Sequence, residues 1–118
     1  MKNFLAVYIG TATAAEKAQW EKLDEERRKE VESSGIKAWM EWGITNAAVI
    51  VDQGSPLGKT KRASKQGIED IRNNMTGYVI VQAESHEAAA KLFENHPHFA
   101  IFPGESVEIM ECLPLPRQ

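Results

Sequence analysis

The sequence predicts an α+β domain, with helices on one side of an antiparallel sheet. Three features lead there. Short runs of β-branched and aromatic residues at 4–9, 77–83 and 106–113 have strand composition. Helix-start signals, Thr13 with Glu16 and Ser85 with Glu87, follow the first two of those runs. The resulting alternation of strands and helices closes into one sheet through right-handed crossovers.

Residues 4–9 form the first expected strand, bounded by Gly10 and Thr11. Thr13 and Glu16 then fit a capping box, in which each side chain takes up a free backbone N–H. The helix they open is expected to run to about Ser33, with Gly35 placed to end it in the left-handed conformation. Opposite charges at i,i+4 spacing (Lys17 with Glu21, Lys22 with Glu26, Asp24 with Arg28, Glu25 with Lys29) describe a solvated face, not a binding site. Residues 36–43, IKAWMEWG, read as a strand carrying Trp39 and Trp42, and residues 47–52 as another after a turn at Thr45 and Asn46.

From 54 to 74 the composition changes to glycine, proline and the basic cluster Lys59, Lys61, Arg62 and Lys65. Such a length is too great for a bare connection. It reads as an inserted hairpin arm with a helical turn at 68–71. The stretch that follows organises the rest of the chain. Residues 77–83 make a buried strand, Ser85 sits at an N-cap, and Glu87 meets the positive end of the helix dipole. Alanines with Leu92 and Phe93 build the helix, and Pro97 ends it, leaving His96 and His98 on either side of a rigid corner. Residues 99–104 turn into a last strand at 106–113. The plan that fits is ferredoxin-like, βαββαβ, with the arm after the second strand, in one domain over residues 1–118.

Composition narrows the function classes. With 118 residues, 42% hydrophobic and 26% charged, the chain builds one ordinary soluble core. A net charge of -3 gives no global attraction to nucleic acid or an anionic membrane, and no aromatic residue interleaves with the lysines of the arm. No apolar run approaches the roughly 18 residues of a membrane span. The N-terminal apolar run reads as a strand and not as an export signal, so the expected location is the cytoplasm. The single cysteine, Cys112, excludes an internal disulfide and a cysteine-rich metal site. Residues 56–61 carry glycine and lysine but lack the GxxxxGK[ST] spacing of a phosphate loop. No cofactor and no metal are expected.

Strand periodicity adds a partner. By alternation, Leu5, Val7 and Ile9 are expected to share the helix-covered face with Val79, Val81 and Val107. The opposite face then shows Phe4, Tyr8, Trp39, Tyr78, Ile80 and Met110, too apolar for solvent. Two helices cover only one side. A second copy of the chain, packed sheet against sheet, is the expected cover, and a fold-back of the 54–74 arm is the alternative.

Three stretches carry a resemblance to a known family. GYVIVQAESHEAAAKLFENHP looks like the strand–helix unit of the YCII-related proteins, ending in its proline corner, and VEIMECLPL is similar to their closing strand. VDQGSPLGKTK resembles the Asp-Gly-Pro-Phe-type segment of one branch, with Gln53 and Ser55 interrupting the pattern and Leu57 in place of the aromatic. The resemblance implies the homodimeric fold of the dimeric α/β-barrel superfamily. Some members are proposed to use a His–Asp dyad with the histidine on or near the first helix. This sequence has no histidine before His86, so that chemistry does not carry over by position.

The candidate site residues each have two readings. His96 and His98 are acid–base candidates, because histidine alone titrates unperturbed near neutrality. Otherwise His96 caps a helix C-terminus and His98 packs. Asp52 and Glu41 would orient those imidazoles, or else form ordinary ion pairs. Tyr8 and Trp39, with Trp42, line a small-molecule pocket or simply fill the core. Lys59 and Lys61 neutralise an anionic ligand or lie in a solvated loop. Two functions follow: an aromatic or anionic small molecule held between sheet and helices with histidine-dependent chemistry, or a non-catalytic dimeric accessory domain.

Overall fold

The computed structural model describes residues 1–10 and 21–116. It is a mixed α+β fold built on antiparallel sheets. The elements are β1 (Lys2–Ile9), α1 (Glu25–Thr45), β2 (Ile50–Pro56), β3 (Thr60–Ser64), β4 (Gly67–Ile71), β5 (Met75–Ala83), α2 (His86–Lys91), α3 (Pro97–Ala100) and β6 (Ser106–Glu111). A four-stranded sheet has the order β2-β5-β1-β6, and β3 and β4 pair separately as a hairpin. Every neighbouring pair in the main sheet is antiparallel, an arrangement consistent with the ferredoxin-like plan. The capping box at Thr13 and Glu16 lies outside the described residues.

The largest departure from expectation is α1. Residues 36–43 are not a strand; they are the second half of a 21-residue helix that starts at Glu25. Asp24 is its N-cap, accepting from the Arg27 N–H at 2.7 Å, and Glu25 and Glu26 face the positive end of the dipole. Of the predicted ion pairs, Glu25–Lys29 closes at 3.6 Å on the exposed side. Gly35 does not stop the helix. It is buried mid-helix beneath Phe102, whose ring lies where a Cβ would come within 2.5 Å. A glycine costs about 1 kcal/mol in a helix interior. Here the tight helix-to-ring contact outweighs that local preference.

The inward face of β1 is also the reverse of the expected one. Phe4, Ala6 and Tyr8 point under the helices, aligned with Val81, Val79 and Gly77 of β5. Phe4 and Val81 are fully buried, and Phe93 and Ala89 close the core from above. Both alternations of this strand are apolar, so period alone did not separate them; the bulky rings take the roomier helix side. Leu5 and Val7 look outward, opposite Ile80 and Tyr78 on one flank and Met110 and Glu108 on the other. Trp39 and Glu41 belong to α1 and not to this outer face. The outer face nevertheless remains apolar at its centre.

The strand expected at 47–52 is observed as Ile50–Pro56, so the excursion begins later, after Pro56. The arm is a hairpin with Lys61 opposite Asp70 and Arg62 opposite Glu69, at 2.7 and 3.0 Å. The helical turn expected at 68–71 is absent: those residues form most of β4. Every residue from 61 to 70 is exposed. The radius of gyration is 16.5 Å, against about 13–14 Å for a compact chain of this length. No helix among the described residues is long and apolar enough to cross a membrane.

Candidate functional site

An aromatic cluster forms where α1 crosses β1 and the corner after α2. Ser85 starts α2 as predicted, accepting from the Ala88 N–H at 3.1 Å. The helix is short, and Asn95 takes a positive φ of 55°, which asparagine tolerates better than most residues. The chain then restarts as α3, with Pro97 in its first turn and His96 as its N-cap. His96 is therefore not a C-terminal cap. Its Nδ1 accepts the His98 backbone N–H at 3.0 Å.

Both imidazoles are buried, His96 completely. His96 packs edge-on against Trp39 and Trp42, with centroids 4.6 and 4.8 Å away, and its Nε2 lies 3.4 Å from the Tyr8 hydroxyl. Burial, reinforced by the neighbouring His98, lowers the His96 pKa to about 4. His98 sends its Nε2–H to the Ile9 carbonyl at 2.6 Å and so fastens the end of β1. The Tyr8 phenol is held protonated, its pKa raised by burial. His86 stacks on Phe4 and donates through Nε2 to the Ile109 carbonyl at 2.7 Å, joining α2 to β6.

Beside this cluster lies a cleft of about 640 Å³ between the second half of α1 and the β2–β5 edge of the sheet. Trp39, Met40, Trp42 and Ile44 line it from the helix. Tyr8 lines it from the inner face of the sheet, residues 76–79 border it along β5, and residues 53–56 of β2 form its rim. Trp42 is fixed by its indole N–H, which donates to the Leu92 carbonyl at 2.8 Å. Among the described residues no charged side chain lines the cleft. Its volume lies in the range of small-molecule sites, which are mostly apolar with a few polar anchors.

The predicted residues divide cleanly. Tyr8 and Trp39 come together at the cleft, 4.8 Å between ring centroids, with His96 and His98 behind them. Asp52, Glu41, Lys59 and Lys61 are exposed and outside the lining. Asp52 accepts from the Gly54 N–H at 2.8 Å, and Lys61 is paired with Asp70. The hydrogen bonds of His96 and His98 run to backbone groups and to Tyr8, not to a carboxylate, among the described residues. No group of three potential metal ligands is gathered among those residues either. The β5 edge at 76–79 was missed as part of the lining. The arrangement suits binding through ring stacking and a few hydroxyls.

No family model matches the chain, and no curated protein sequence is similar to it. Among solved structures it is similar to the 5-chloro-2-hydroxyhydroquinone dehydrochlorinase of Burkholderia phenoliruptrix, in complex with 2,5-dihydroxybenzoquinone. The two share 17% identity with a TM-score of 0.51, over 92% of this chain and 90% of that one. That likeness is one of fold.

Proposed function

We propose that this chain is a YCII-like member of the dimeric α/β-barrel superfamily that binds a neutral, planar aromatic molecule in the cleft under α1. The observation that carries the reading is the lining itself: the rings of Tyr8, Trp39 and Trp42 with no charged side chain among the described residues. Among the described lining residues a buried anion would find no cation to offset its desolvation. Of the two ligand classes the sequence suggests, aromatic and anionic, the cleft therefore favours the first. The dehydrochlorinase of similar fold holds a planar oxygenated ring, a ligand of the same general shape. In this reading Tyr8 and Trp39 touch the ligand, while His96 and His98 shape the wall behind them.

A thermal-shift series of uncharged and anionic aromatic compounds tests this. Uncharged members are expected to raise the melting temperature and quench tryptophan fluorescence. A ligand at a hundred times its Kd adds about 2.7 kcal/mol to native-state stability. Stabilisation by anions alone, or by no compound, would overturn the reading.

The same proposal makes the molecule a homodimer, βαββαβ in each copy with the β3–β4 arm inserted after the second strand. Support comes from Leu5, Tyr78, Ile80 and Met110, none of them buried, clustering on the side of the sheet that faces away from the packed core. Light scattering at micromolar concentration is expected to give twice the mass of one chain. A monomer would remove the dimer from the proposal without touching the cleft.

A further inference from the structure

Resting on the cleft reading, we infer that the His96 ring, locked as one tautomer by the backbone of α3, turns the Tyr8 hydroxyl into a hydrogen-bond donor for a carbonyl or similar acceptor on the bound ring. His96 is then a positioning residue, and Tyr8 the group that selects the ligand.

The argument runs along one chain of hydrogen bonds. The His98 backbone N–H can only donate, and it points at His96 Nδ1 from 3.0 Å. A neutral His96 therefore carries its proton on Nε2. That Nε2–H faces the Tyr8 oxygen at 3.4 Å, a long contact in the ligand-free molecule. The imidazole must donate here, so the phenol oxygen accepts. The reverse arrangement, Tyr8 donating to Nε2, would place the ring proton on Nδ1, head-on against the His98 N–H. With its oxygen accepting from His96, Tyr8 has its own O–H left over. Among the described residues Tyr8 Oη has no other partner, and Tyr8 lines the cleft.

Two further facts agree. Burial keeps the phenol protonated across the physiological range, so it remains a donor. Burial also keeps His96 neutral there, and a protonated ring would meet the His98 N–H with a second donor. Among the described residues the ionisable groups against His96 are Tyr8 and His98, and α1 presents Trp39 and Trp42 to it. A donor at the wall of an uncharged aromatic slot discriminates in favour of rings that bear a carbonyl oxygen. A ring without one leaves the hydroxyl unpaired in a dry site.

Two measurements on the whole chain test this. Imidazole ¹⁵N shifts of the ligand-free protein at neutral pH are expected to show His96 unprotonated at Nδ1 and protonated at Nε2. Binding of 4-chromanone is then compared with that of chroman, the same bicycle without the ketone. The wild type is expected to prefer the ketone by about five- to tenfold, the worth of one neutral hydrogen bond. Tyr8→Phe should abolish that preference. His96→Gln, whose amide N–H reaches towards the same oxygen, should keep it, and His96→Leu should weaken it. If the His96 variants do not fold, the wild-type tautomer and Tyr8→Phe still decide. A proton on Nδ1, equal binding of the two compounds, or a preference that survives Tyr8→Phe overturns the proposal. Failure of both compounds to bind overturns the cleft reading on which it rests.

Discussion

Gly54→Ala is expected to lower the unfolding free energy by about 2–4 kcal/mol and to abolish ligand binding in the cleft. Gly54 has a φ of +68°, and a Cβ there would overlap the Tyr78 carbonyl of the neighbouring strand. Neither the backbone angle nor the backbone oxygen is free to yield. The register between β2 and β5 already shifts at this point, between Asp52 and Ser55. The Asp52 carboxylate holds the irregularity by accepting the Gly54 N–H at 2.8 Å. Adding a methyl group therefore pushes β2 away from β5, and residues 53–56 form the cleft rim. Urea melts of the variant against the wild type measure the loss. An unchanged midpoint would contradict the account.

Acid is expected to weaken the fold before most carboxylates titrate. His96 has its pKa lowered from 6.5 to about 4 by burial and by His98. Between those values the unfolded chain binds a proton at this residue and the folded chain does not. Unfolding therefore takes up a proton, and stability falls as pH drops through that window. Below about 4 the folded state is protonated as well, and the loss from this residue levels off. The whole effect is on the order of 3 kcal/mol. His96→Gln removes the titrating group, so its urea midpoint should depend less steeply on pH between 6.5 and 4 than that of the wild type. Parallel slopes would show that His96 is not the group responsible.

Much of the sheet was legible because its strands are short, β-branched and bounded by turn residues. The runs at 4–9, 77–83 and 106–113 lie within or across β1, β5 and β6. The Ser85 cap was legible for the same kind of reason: a local hydrogen bond leaves a local signature. The middle of the chain was harder. Trp39 and Trp42 favour strands by type, and Gly35 looks like a helix stop. The deciding signal was the spacing of Arg28, Val31, Gly35, Trp39 and Trp42, which recurs every three or four residues and coincides with the less exposed side of α1. What no local rule could supply was Phe102, about seventy residues away in sequence, seated on Gly35.

The site shows the same division. Tyr8, Trp39, His96 and His98 stand out in the sequence as rings near strand ends and a proline corner, and the fold brings them into one cluster. The two short hydrogen bonds of the imidazoles were invisible beforehand, because their partners are the backbone carbonyl of Ile9 and the backbone N–H of His98. The four charged candidates were chosen by residue type, and type says nothing about which way a surface side chain points.

The seat of Phe102 on Gly35 carries one more mechanical implication. From that notch α1 extends ten residues to Thr45, about 15 Å at 1.5 Å per residue. Trp39, Trp42 and Ile44 all lie along this overhang. The stretch is not free-standing: Trp39 and Trp42 pack against the core and the Trp42 indole N–H donates to the Leu92 carbonyl. The notch at the glycine and these two rings together therefore set where Ile44 stands over the cleft, and with it the aperture.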